Sequence, residues 1–329
     1  MTDRVQQLAK HCLNYRNSDA RRATLQLFTT LAPFILLCLA MYHALDISYL
    51  LTLLLAVPTA GMIVRIFIIQ HDCGHGSFFN NAAANDWTGR LLSIFTITPY
   101  GYWRRLHALH HASSSNLDKR GYGDIDTLTV AEYNALNFTG RLKYRIYRNP
   151  FFLMFIGGPL HFAVLQRLPL AFEKPSVQMW TSVMGLNAAL ILFYGAIIYY
   201  IGWPAFLAMA IPVAMLTSAA GIWLFYIQHQ FEDTHWAHSD DWDRKTAALY
   251  GSSYYRLPKL LQWFTGNIGI HHVHHLCSSI PNYRLQECLD DEPELKTINV
   301  LTIRESLRYA SLSLWDEEMK KLVPFPARV

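Results

Sequence analysis

Four apolar runs set the limits on what this chain can become. They cover Leu25 to Ala44, Leu50 to Gln70, Met179 to Ile201 and Ala205 to Ile227, and each matches the roughly 20 residues that a helix needs to cross the hydrocarbon of a bilayer. With 52% hydrophobic and only 16% charged residues in 329, the chain is too charge-poor for an ordinary soluble domain. The runs fall into two pairs. Within each pair the link is a few residues, "LDIS" at 45–48 and "GWPA" at 202–205, so each pair is expected to be a tight hairpin that returns to its starting side. Gly and Pro supply the break in the second link.

Neither link carries Lys or Arg, whereas residues 1–24 carry Arg4, Lys10, Arg16, Arg21 and Arg22 and the two long polar regions are also basic. The positive-inside rule then puts residues 1–24, 71–178 and 228–329 on the cytoplasmic side of the membrane, with 25–70 and 179–227 as the two transmembrane hairpins. The expected fold is an all-α integral membrane protein, four transmembrane helices under a helical cytosolic cap. The net charge of +4 suits a surface facing anionic lipid and calls for no nucleic acid. Two further apolar stretches, 91–103 and 151–166, are short for a span, and the second is interrupted by Gly157, Gly158 and Pro159. They are expected to lie in the interface. No cleavable signal peptide is expected, because the first two dozen residues are polar and the first span can serve as the insertion signal. Five cysteines without metal-finger spacing are expected to be reduced thiols.

The histidines carry the chemical information. Eight of the 15 take the spaced positions of three short motifs: His71 and His75 in "HDCGH", His107, His110 and His111 in "HALHH", and His271, His274 and His275 in "HHVHH", with His272 as an extra. Residues three and four apart share a helix face, so each motif is expected to project its imidazoles to one side. Imidazole is the commonest ligand of iron, copper and zinc, and eight convergent rings are enough for two ions. His229, at the end of the fourth apolar run, occupies the place that His71 has at the end of the second. It is the ninth candidate. His11, His43 and His161 are isolated; His235, His238 and His272 stand near the motifs and are expected to contact substrate or orient ligands. Asp72, Asp124, Asp126, Glu232 and Asp233 are the carboxylates placed to orient ligand rings.

The three motifs, with H-x-x-x-H, H-x-x-H-H and H-x-x-H-H spacing, resemble the histidine boxes of the membrane fatty acid desaturases and their hydroxylase and acetylenase relatives. The stretches "LDKRGYGDIDTLTVAEY" (117–133), "YRIYRNPFFLMFIGGPLHF" (144–162) and "GNIGIHHVHHLCSSIPNYRLQECL" (266–289) resemble bacterial desaturases of the Δ12 or ω-6 type. That resemblance implies a diiron centre held by His71, His75, His107, His110, His111, His229, His271, His274 and His275. It implies dioxygen as co-substrate and a fatty acyl substrate, already monounsaturated, on a phospholipid, coenzyme A or acyl carrier protein. Hydrogen removal from an unactivated methylene needs a redox metal, which excludes zinc.

Some relatives place an asparagine four residues before the ninth histidine. Here that position is Phe225, with Asn267 as a weak substitute. No H-P-G-G haem motif occurs, so electrons are expected from an external donor, a ferredoxin or similar carrier. Arg104, Arg105, Lys119 and Arg120 are candidates for its docking patch. Acetylenase or hydroxylase chemistry, a carotenoid ketolase or hydroxylase, and a non-enzymatic metal-binding scaffold remain as alternatives. Arg65, inside the second apolar run, is expected to snorkel to the interface.

Overall fold

In the computed structural model, residues 2–121 and 123–327 are described. Four long helices dominate: Ala20–Ala44, Tyr49–His75, Val177–Ile201 and Trp203–His229, all long and apolar enough to cross a membrane. Helical hydrogen bonding within each segment satisfies the backbone without water, which is the condition for a place in lipid. Asp19 caps the first by accepting from the amides of Arg21 and Arg22, and Ser176 caps the third by accepting from Met179 N. Residues 45–48 join the first pair, which pack along each other, and Gly202 joins the second pair. Met41, Ala56 and Val213 make a buried contact where the first, second and fourth long helices meet. The outward faces keep Phe28, Leu36, Leu54, Ile191, Leu192 and Tyr199 exposed, as lipid-facing helices do.

The second and fourth helices do not stop where the apolar runs stop. They continue to His75 and His229, so the first box and the ninth histidine ride on the same rods as the apolar segments. Gly76 ends the second helix in the left-handed conformation, φ 69°, its amide donating to the carbonyls of Asp72 and Cys73. The 91–103 stretch is divided between helices Ala82–Thr96 and Tyr100–Ser113, with the break at Ile97 and Pro99. The 151–166 stretch is likewise divided into short helical pieces, with one π-helical turn at Leu153–Gly157.

The expectation of an all-helical chain needs one correction. Five short strands form two small sheets. Leu128–Thr129 pairs in parallel with Leu312–Asp316, which pairs antiparallel with Lys321–Pro324; Tyr254–Tyr255 pairs in parallel with Val300–Leu301. These pairings tie the end of the chain to segments that precede and follow the fourth long helix. The N-terminal residues are more structured than a polar leader: helix Thr2–Cys12 buries Val5, Leu8 and Cys12 against Ile270, Val273, Leu285 and Cys288. That core lies behind the third histidine motif.

Arg65 does not snorkel. Its side chain is buried, with Nε donating to Thr30 Oγ1 at 3.1 Å, a hydrogen bond to Trp263 O and the guanidinium 4.3 Å from the centroid of the Trp263 ring. The cation binds the second long helix to helix Lys259–Phe264 instead of reaching for water.

Candidate metal centre

The nine histidines singled out in the sequence meet in two adjoining groups. His71, His75, His107, His111 and His274 form one, and His110, His229, His271 and His275 the other; within each group the candidate nitrogens all lie within 4.8 Å of one another. Neither Cys73 nor Cys277 enters a group. The boxes do not map one to a group, as a single shared face had suggested. On a helix with 3.6 residues per turn, positions i and i+4 lie about 40° apart, while i+3 falls about 100° from i+4. His107 and His111 therefore face the five-histidine group and His110 the other. In the third box the assignment is reversed: His271 and His275 face the four-histidine group and His274 the five. Each H-x-x-H-H helix serves both groups, and the seam between them is the stack of His111 on His275, ring centroids 4.1 Å apart.

The nitrogen spacing fits bound metal. His75 and His107 oppose their Nε2 atoms at 3.0 Å, and the pairs His107–His111, His111–His274 and His229–His271 do so at 3.1 Å. Two nitrogens at right angles on one ion, with metal–nitrogen bonds of about 2.1 Å, stand roughly 3.0 Å apart. Two neutral lone pairs facing each other at that distance need a cation or a proton between them. His110 Nε2 and His275 Nε2 are buried with no protein partner, which leaves their lone pairs free for the same purpose.

Protonation is disfavoured. Burial pushes His107, His111, His271, His274 and His275 well below the usual imidazole range, and the neighbouring histidines add to the shift. The rings are held as neutral donors.

Tautomers are set from outside. His71 Nδ1–H donates to Asp72 Oδ1 at 3.1 Å, His110 Nδ1–H donates to Asp124 Oδ1, and His229 Nδ1–H donates to the Gly251 carbonyl at 3.1 Å, which turns each Nε2 inward. Asp72 is itself fixed by Asn282, whose amide N–H and side-chain Nδ2 donate to Oδ2 at 2.6 and 2.8 Å. A residue with a Cβ at 251 would put it 2.5 Å from the Ala247 carbonyl, so only glycine lets this carbonyl come so close to the helix before it. Asp72→Asn is expected to weaken metal binding at the five-histidine group by about 10- to 100-fold, read by titrating metal-free protein with Fe(II) or Co(II).

Other candidates lie outside the two groups. Asp126 and Asp233 are exposed, and Glu232 pairs with Lys321 at 3.3 Å, so none of the three orients a ring of the groups. His272 turns to the Leu295 carbonyl at 2.8 Å, and His238 sits on the surface between Asp118 and Glu317. Phe225 packs on the rings of His110 and His229, and Asn267 contacts the Asn282 carbonyl, not a histidine of either group. Arg120 is taken by Glu132 at 2.6 Å and Arg104 by Asp86 at 2.9 Å, which leaves Arg105 and Lys119 without an ion pair among the described residues. Trp103, unremarked in the sequence, stacks on His107 with the planes 14° apart.

Access differs between the groups. A cavity of about 220 Å³, lined by Gly74, His75, Trp103, Arg104, His107 and Ala108, reaches the five-histidine group from outside. The four-histidine group is wholly buried, whereas three of the five are partly exposed, and a space of about 10 Å³ beside His229, Asp124, Phe225 and Trp236 is enough for about one water.

The sequence model of the fatty acid desaturases matches residues 47–303, which include all nine histidines. The chain belongs to the fatty acid desaturase family. A relative from Bacillus subtilis (strain 168) called "Fatty acid desaturase" is 43% identical over 98% of this chain and 91% of its own. Two relatives from Synechocystis sp. are more distant. The "sn-1 acyl-lipid omega-3 desaturase (ferredoxin)" is 28% identical over 78% of this chain and 69% of its own, and the "sn-1 oleoyl-lipid 12-desaturase" 23% identical over 87% and 79%. This desaturase is thus an oxidoreductase with a histidine-lined centre able to bind metal, built on four helices fit for a membrane.

Proposed function

We propose that this desaturase is an oxygen-dependent, diiron enzyme of the inner membrane that places a double bond in an acyl chain of a membrane lipid. The observation that carries the reading is the division of nine imidazoles into a five and a four, with His71, His75 and His229 carried on the ends of two membrane-length helices. On it, one iron belongs to His71, His75, His107, His111 and His274 and the other to His110, His229, His271 and His275. Two redox-active irons would supply the activation of dioxygen needed to take hydrogen from an alkyl chain. The balanced reaction is a CH₂–CH₂ unit plus O₂, two electrons and two protons, giving CH=CH and two waters.

The protein's own part is to hold donors neutral, to fix ring orientation through Asp72, Asp124 and Gly251, and to bury the four-histidine side. Residues 71–178 and 228–329 form a cytosolic cap and the helix pairs 25–70 and 179–227 the membrane hairpins, on the asymmetry of basic residues. A ferredoxin-like carrier delivers the electrons, as the name of one relative states for that protein. The names of the acyl-lipid relatives favour a lipid-esterified chain, and those of the oleoyl-lipid 12-desaturases favour a monounsaturated one.

The test is the lipid fatty acid profile of a host expressing the chain, beside one expressing His110→Ala, with double bonds located by derivatisation and mass spectrometry. New double bonds only with the wild type establish the reaction. A diene confirms the monounsaturated substrate, and a monoene from a saturated chain replaces that part alone. A profile unchanged while the protein sits in the membrane with iron bound would overturn the acyl-lipid assignment.

A further inference from the structure

Arg148 is the largest fully buried side chain of the structure, 1% exposed, and no carboxylate pairs with it among the described residues. It stands just after helix Phe138–Tyr147, and its guanidinium is met by neutral acceptors from three separate segments. Nη1 donates to the Asp126 carbonyl at 3.1 Å and to Thr127 Oγ1 at 3.2 Å; Nη2 donates to Gln230 Oε1 at 2.8 Å, to the Leu312 carbonyl at 3.1 Å and to Tyr226 Oη at 3.4 Å. Thr127 and Gln230 also bond to each other, Nε2 to Oγ1 at 3.1 Å, and Tyr226 Oη donates to the Leu312 carbonyl at 2.6 Å. A cation buried without a paired carboxylate is costly to keep, and removing it would leave several buried acceptors unpaired at once.

What two of these segments have in common is the four-histidine group. Asp126 and Thr127 follow Asp124, the carboxylate that holds His110 Nδ1, and Gln230 follows His229 directly while Tyr226 precedes it by three. The guanidinium fastens the loop that orients one histidine to the helix end that presents another. Among its partners none lies on the segments of His71, His75, His107, His111 or His274. We infer that Arg148 is a positioning residue for the four-histidine site alone, aligning His110 and His229 from behind without touching either. The inference rests on the two-iron reading above.

The test measures iron per chain and thermal unfolding on the full-length protein in detergent, for the wild type, Arg148→Met, Thr127→Val and, as a charge control, Lys143→Met on the exposed side of the same helix. Arg148→Met is expected to lose about half of the bound iron, with the remainder in the five-histidine site. In the oxidised protein that remainder shows as an isolated high-spin ferric signal in electron paramagnetic resonance. Thr127→Val, which removes the hydroxyl shared by Arg148 and Gln230, is expected to lose the same iron in smaller proportion and serves if Arg148→Met does not fold. Lys143→Met is expected to keep both irons. Full iron retention in Arg148→Met or, where that variant does not fold, in Thr127→Val overturns the inference, as does equal loss from both sites at unchanged unfolding temperature. A wild type that binds no iron would instead overturn the two-iron reading itself.

Discussion

Replacing His274 with alanine is expected to bring desaturation down to the background of a host without the protein, while the chain remains in the membrane at normal level. His274 belongs to the five-histidine group. Its Nε2 opposes His111 Nε2 at 3.1 Å, and its ring lies 4.5 Å from that of His71. Loss of the imidazole removes one of the five donors and opens a hole beside the seam formed by His111 and His275. The ring meets the second long helix only at its His71–His75 end, while the apolar packing of the long helices lies elsewhere, at Met41, Ala56 and Val213, so insertion does not depend on it. His110→Ala is expected to do the same from the other group, since it removes both a donor and the partner of Asp124. Turnover that survives either substitution at wild-type rate would rule out nine-ligand chemistry. The measurement is product formed per immunodetected chain, with membrane fractionation as the control.

Chelation is expected to strip metal in two phases and to destabilise the protein. The five-histidine group is reached through the 220 Å³ cavity beside Trp103 and should empty first, whereas the four-histidine group, with about 10 Å³ of free space, releases only when the fold opens. A bound ion at a thousand times its Kd contributes about 4 kcal/mol per site, so Tm falls as each phase completes. Added Fe(II) restores both activity and Tm; Zn(II) restores Tm only.

Acid sharpens the effect in the metal-free protein. His107, His111, His271, His274 and His275 have folded pKa values depressed by burial, so below the ordinary imidazole value of about 6.5 the unfolded chain binds protons that the folded chain refuses. Their neutral form favours folding above that pH, and stability drains away as the pH falls through and below it. Single-phase release, or a metal-free Tm that rises on acidification from pH 7 to 5, would contradict the unequal access and the neutral rings respectively.

The parts of this structure that the sequence made legible are those encoded by short-range periodicity. A 20-residue apolar run announces its helix, and H-x-x-H-H announces a helical cluster of imidazoles; Asp72, one of the carboxylates expected to orient a ligand ring, stands 3.1 Å from Nδ1 of the adjacent His71. What stayed hidden depends on contacts between distant segments. The strands are two to five residues long, and the partners Leu128 and Leu314 are far apart in the chain, so no local alternation marks them. Arg65 reads as an interfacial cation until Trp263 arrives from the other end of the chain to cover it. Arg148 lies in a stretch quoted for its resemblance, but nothing in "YRIYRNP" shows that its acceptors come from residues 126, 127, 230 and 312. The distribution of the second and third boxes between two groups follows from helical pitch, yet it becomes visible only once both helices have been set side by side.

That distribution makes the helix itself the spacer of the centre. With a rise of 1.5 Å per residue, the step from His107 to His110 and the step from His271 to His274 are rigid lengths of covalent chain, and each runs from one group to the other. No carboxylate is needed to bridge the pair at a set separation; backbone geometry does it twice, in opposite directions. A one-residue insertion in either helix would turn the following histidines by about 100° and misalign both groups together. The two groups therefore share one mechanical frame, and assays of turnover will report them as one, while counting bound metal can tell them apart.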